Sequence, residues 1–150
     1  MNDGKMPLSR MTGGIYRSTQ AYTNEILAKY ELGSGTYPFL LTLGVKEGIN
    51  QNQISRELDI NKAMSARAIK RLIGLGYITK EEDREDSRAF KLYLTEKAKV
   101  ILPVLREELR KWNDIITRNL SEREKETVID LLSIVLKDTK SYRKKMKDED

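Results

Sequence analysis

The residues best placed to do chemistry are basic, and they are grouped. Between Asn61 and Thr79 the chain carries Lys62, Arg67, Lys70 and Arg71 and no acidic residue, although acids stand on both sides of the stretch. Lysines and arginines on one short element neutralise phosphates, and an arginine among them can pair with the edge of a base. The small residues Ala63, Ser65 and Ala66 would let the start of a helix press into a major groove. There its free amide donors favour phosphate and short side chains reach base edges. A second group follows, with Arg84, Asp86, Ser87, Arg88 and Lys91 set among Glu81, Glu82, Asp83 and Glu85. An arginine at the tip of a hairpin can enter a narrow minor groove, and acids beside it would brace the turn, Asp86 against Arg88.

Other chemistries are poorly provided for. The chain contains no cysteine and no histidine, which removes disulfides, thiolate nucleophiles and the usual zinc, copper and nickel ligands. The commonest general base is absent as well, so an enzyme would rest on Asp, Glu, Lys or Tyr. The acids of 81–86 could be read as a magnesium site, but such acids more often sit solvated. No enzyme activity, cofactor or metal is expected. No stretch approaches the ~20 apolar residues of a membrane span, and the N-terminus lacks a signal-peptide core. The cytoplasm is the expected compartment. A net charge of +5 favours a polyanionic partner.

These residues need elements to hold them. From Ser9 to Tyr30 apolar residues recur at three- and four-residue spacing, which predicts an amphipathic helix. Gly33-Ser34-Gly35 breaks it, and a second helix is expected from Thr36, with Pro38 in its first turn, to near Gly48. A short helix over 51–58 has Asn50 as N-cap. Only Asp59-Ile60 separates it from Asn61, a second N-cap, which opens a helix to about Leu75. Two helices joined by so tight a turn outline a helix-turn-helix, with Met64, Ala68, Leu72 and Leu75, joined by Ile69, on the inward side of the second. Tyr77–Lys80 and Phe90–Leu94 read as two strands of a hairpin with a long charged tip. Thr95 is expected to cap a helix reaching Asn119, kinked at Pro103. Ser121 and Glu124 form a capping box for a last helix with Val128, Leu131, Leu132 and Val135 on one face. The charged tail from Lys137 is expected to fray.

The ordered series Ile54-Ser55-Arg56-Glu57-Leu58, Asn61, Arg67-Ala68-Ile69-Lys70-Arg71-Leu72, Gly76-Tyr77-Ile78, Asp86-Ser87-Arg88 and Leu92-Tyr93-Leu94-Thr95 resembles the MarR family of bacterial and archaeal regulators, over almost the whole chain. The resemblance implies a triangular homodimer with a winged helix in each subunit, often repressing genes near its own. Many members of the family release DNA when small aromatic or phenolic compounds bind between the dimerisation region and the winged helix. By position, Arg67 would be a recognition-helix contact to DNA, and Asp86 and Arg88 the wing pair. Ser87 stands where the family often has the first of two arginines, which leaves Arg84 or Arg88 for the minor groove. Ala98 replaces a common glycine after the hairpin.

The expected fold is therefore mainly α, a winged helix-turn-helix with a small β-hairpin wing. N- and C-terminal helices add a dimerisation region. In one MarR-like domain over 1–150, residues 36–95 would read DNA, and 9–32 with 96–146 would pair with a second copy. The expected partners are double-stranded DNA with a pseudo-palindromic operator, the chain itself as a homodimer, and a small aromatic effector. A pocket for that effector would draw on Tyr16, Tyr37 and Leu40, with Tyr22, Phe39 and Trp112 nearby. The alternative is a winged helix that binds another protein and not DNA, for which an acidic or uncharged recognition helix would be the sign.

Overall fold

The computed structural model of the chain describes residues 4–86 and 89–149. Its elements run α1 (Leu8–Leu27), a 3-10 turn (Ala28–Tyr30), α2 (Tyr37–Val45), α3 (Gln51–Leu58), α4 (Lys62–Gly74), β1 (Ile78–Glu82), β2 (Phe90–Leu94), α5 (Glu96–Ile116) and α6 (Glu122–Asp148). The chain forms two compact units, Met1–Trp112 and Asn113–Asp150. Among the described residues no helix is long and apolar enough to cross a membrane.

The first unit holds the core. Leu27, Phe39, Leu40, Leu43, Ile54, Leu72, Tyr77 and Leu105 are all fully or almost fully buried in one cluster. Polar groups at its edge are satisfied locally. The Tyr77 hydroxyl donates to the Tyr30 carbonyl at 2.8 Å, and burial holds that phenol above the ordinary tyrosine range. Tyr22 stacks on Trp112 with ring centroids 4.6 Å apart, and the indole N–H donates to Thr19 Oγ1 at 2.9 Å. These contacts join α1 to α5. Gly44 of α2 faces α5 so closely that a Cβ would lie 2.9 Å from Leu102 Cδ1, so the Leu102 side chain packs directly on the backbone of α2.

Caps set the helix boundaries. Asn50 accepts from the Gln53 amide and Gln53 Oε1 accepts from the Asn50 amide, a reciprocal box that satisfies two donors at the start of α3. Asp59 closes α3 in the left-handed region, and Asn61 Oδ1 accepts from the Met64 amide at 2.8 Å to open α4. Thr95 Oγ1 accepts from the Ala98 amide at the start of α5. That helix is continuous through Pro103.

β1 and β2 pair antiparallel in the register Ile78↔Leu94 to Glu82↔Phe90. β1 is longer than the sequence suggests because Glu81 faces Lys91 across the ladder, an opposite-charge pair that stabilises a strand edge. β2 is also held on its other side. The Gly48 amide donates to the Leu92 carbonyl, the Leu92 amide to the Ile49 carbonyl, and the Leu94 amide to the Glu47 carboxylate.

In the second unit the Ser121–Glu124 capping box is formed as expected. Lys125 Nζ lies 3.2 Å from Asp114 Oδ1. α6 does not fray at Lys137. It continues to Asp148, since the segment contains neither Gly nor Pro and lysines in the last turn suit the negative end of the helix dipole.

Candidate nucleic-acid interface

α3 and α4 pack against each other, joined by the three-residue link Asp59–Asn61. The Gln51 amide group donates to the Lys62 carbonyl at 3.4 Å, tying the first turn of α4 to α3. Small buried residues occur on both helices, Ser55 on α3 and Ser65 on α4. Of the expected recognition residues, Asn61, Lys62, Ala63, Ala66, Arg67, Lys70 and Arg71 are all exposed. This face carries four cations and no acid.

Ser65 departs from that pattern. It was expected on the outward side, but its side chain is 0% exposed and its hydroxyl has no hydrogen-bond partner. Met64, expected inward, is exposed instead. The buried positions of α4 are 65, 69 and 72: Ile69 and Leu72 face inward as expected, and the inward series begins at Ser65, one residue after Met64. The apolar series from Met64 was the misleading signal. The small Ser65 side chain is the one enclosed, and the longer Met64 stays at the surface.

The hairpin lies beside this face. Lys70 and Ala66 of α4 share a cleft of about 630 Å³ with Lys80, Asp86 and Phe90 of the hairpin and with Gln51 of α3. Lys80, which sequence reasoning did not single out, holds its ammonium 4.7 Å from the Phe90 ring centroid. Arg84, Asp86 and Lys91 are exposed. The turn is organised by the Asp83 carboxylate, which accepts from the Glu85 amide, and by the Ala89 amide, which donates to the Asp86 carbonyl. Ser87 and Arg88 lie outside the described residues, so the expected Asp86–Arg88 pair does too.

The residues expected to line an effector pocket differ in exposure. Leu40 is fully buried and Tyr16 is 62% exposed. Tyr37 lies between these extremes, with its phenol held above the ordinary range first by burial and then by the nearby Tyr16.

A two-helix motif with a cationic outer face, a hairpin beside it and long helices at either end is a winged helix-turn-helix. Residues 32–89 match the model of the MarR family. The HTH-type transcriptional regulator BilQ of Clostridioides difficile is 31% identical over 134 residues, covering 89% of this chain and 90% of that protein. The chain belongs to the MarR family. Like other MarR proteins it is a transcriptional regulator. A crystal structure of a MarR transcriptional regulator from Methanosarcina mazei superposes with a TM-score of 0.85 at 31% identity, over 88% of this chain and 95% of that one. A MarR protein from Peptoclostridium difficile gives 0.90 at 26% identity, over 97% and 95%.

Proposed function

We propose that this MarR-family regulator binds duplex DNA as a homodimer at a pseudo-palindromic operator and represses transcription there. The outward face of α4, with Lys62, Arg67, Lys70 and Arg71 exposed and no acid among them, is the observation that carries this reading. In it, Arg67 reads a base edge in the major groove, while Lys62, Lys70 and Arg71 neutralise phosphates. Met64, exposed near the start of α4, suits apolar contact with a thymine methyl group. The hairpin carries Arg84 and Lys91 to the adjacent minor groove, where narrow A·T-rich sequence strengthens the negative potential.

The homodimer is supported by apolar side chains left on the surface of α1 and α6. Leu8, Met11 and Ile15 are 42–50% exposed, and Ile129, Leu131 and Ile134 are 54–59% exposed. Exposed apolar side chains on each of these helices suit association, and a surface that meets its own copy gives two-fold symmetry. Release by a small aromatic effector near Tyr16 and Tyr37 completes the reading, which places the protein in the cytoplasm.

The test is binding to genomic fragments from the region upstream of the protein's own gene, at two salt concentrations. A footprint on a pseudo-palindrome, with affinity falling steeply as salt rises, is expected. Weak, unlocalised binding at both salts with intact fold would overturn the reading and favour a protein partner.

A further inference from the structure

The last turns of α6 carry a charge pattern that the recognition helix and wing do not use. Of 28 basic and 23 acidic side chains in the chain, residues 137–147 hold six basic ones and Asp138, leaving equal numbers of each sign elsewhere. Residues 137–147 thus carry a net +5, and Asp148-Glu149-Asp150 follow them directly in the sequence. At 100° per residue, Lys137, Lys140, Arg143, Lys144 and Lys147 fall within about a third of the circumference. Asp148 borders this stripe at its end. Every residue from 137 to 149 is exposed, and among the described residues none pairs with Lys140, Lys144 or Lys147.

The opposite side of the same helix is apolar. Val128, Leu131, Val135, Thr139, Tyr142 and Met146 follow one another at steps of three and four residues, a seam suited to another helix. The two faces together distinguish the possible polyanions. A helix that lies in a lipid surface has Trp, Phe or Leu on its apolar side; Leu131 of the seam precedes the stripe, and alongside the stripe the seam offers only Thr139, Tyr142 and Met146. The stripe suits a rod of phosphates better. Lys140 to Lys147 spans about 10 Å of helix axis at 1.5 Å per residue, a length over which one strand of a duplex presents about three phosphates.

We propose that the cationic stripe of α6, centred on Lys140, Lys144 and Lys147, is a second, sequence-independent contact to the phosphates of duplex DNA. It rests on the DNA-binding reading of the chain but not on the recognition helix. It adds non-specific affinity, which raises the time the regulator spends on DNA between operators.

The experiment measures binding of the full chain to a random-sequence duplex by fluorescence anisotropy over a salt series. The comparison is with a triple variant, Lys140→Gln, Lys144→Gln and Lys147→Gln, checked for helix content by circular dichroism. Each lost phosphate contact lowers the slope of log affinity against log salt by about 0.9, so a slope shallower by about 2–3 is expected. The Lys→Arg triple variant should keep the parent slope. An unchanged slope in the glutamine variant overturns the proposal, as does binding that the variant loses only toward phosphatidylserine vesicles. Arg67→Ala, measured alongside, separates the two readings. It should lose preference for operator over random duplex while the contribution of the α6 lysines persists.

Discussion

α4 and α6 are both amphipathic and capped by a side chain at the start, and they differ in what covers their apolar side. In α4, Ser65, Ile69 and Leu72 are buried beneath the helix within its own unit. In α6, Val128, Leu131 and Val135 are 39%, 58% and 36% exposed, and no described residue of the helix is buried. The stability of α4 is made within one chain. In the proposed homodimer that of α6 would rest on association, and so on protein concentration.

The sharpest way to break this comparison is a pair of substitutions. Leu72→Ala removes side-chain volume from a site that is 0% exposed and should cost about 2–5 kcal/mol, read as a fall in the urea midpoint. Leu131→Asp should leave the midpoint of a dilute sample nearly unchanged. It should instead convert dimers to monomers in sedimentation velocity runs. Equal unfolding by both would show that α6 is as much a part of the monomer core as α4.

Arg67→Ala tests the outer face of α4 alone. A loss of about 1–3 kcal/mol in operator binding is expected, with the thermal midpoint and the dimer unchanged. If the variant unfolds, Arg67 is a structural brace and the outer face is not free for DNA.

Ser65→Ala sharpens the account of the inner face. The buried hydroxyl lacks a partner, and an unmet polar group in an apolar site is unfavourable. Its removal should therefore stabilise the unit by about 1 kcal/mol. A destabilised variant would mean that the hydroxyl is satisfied by bound water.

The smallest effect concerns the start of α6. The Ser121 amide and hydroxyl hold the Glu124 carboxyl below its ordinary range. A lowered folded pKa contributes stability above the unfolded value, about 4.3, and loses it as pH falls through the folded value. Acidification should thus weaken the cap, and Glu124→Gln should flatten that part of the helix signal by circular dichroism. An NMR titration placing Glu124 at or above the ordinary value would remove the effect.

Much of this architecture was legible in the sequence because its boundaries are set by local chemistry. Asn50, Asn61, Thr95 and Ser121 cap where hydrogen-bond geometry and spacing said they would. The residues of β2 were found in full, since Phe90 to Leu94 lies between turn and cap. The start of the inward series on α4 was not legible. Met64 and Ser65 are adjacent and either could begin it; the small Ser65 is the one buried and Met64 is exposed. The extent of β1 depended on Glu81 meeting Lys91 across the hairpin, a pairing set by the register of the two strands and not by the composition of the charged tip. The length of α6 was underestimated because a run of charges was read as a loose end, although nothing in its composition stops a helix.

β2 is held on the side away from β1 by the Glu47 carboxylate on the Leu94 amide and by two backbone hydrogen bonds linking Leu92 to Gly48 and Ile49. The next residue, Asn50, is the cap of α3. The root of the wing is therefore hydrogen-bonded to the segment that runs directly into the start of the motif. A load applied to the hairpin passes to α3 through these hydrogen bonds as well as through side-chain packing. The wing behaves as a lever set in masonry, and the Leu92 and Leu94 amides should exchange with solvent far more slowly than those at its tip.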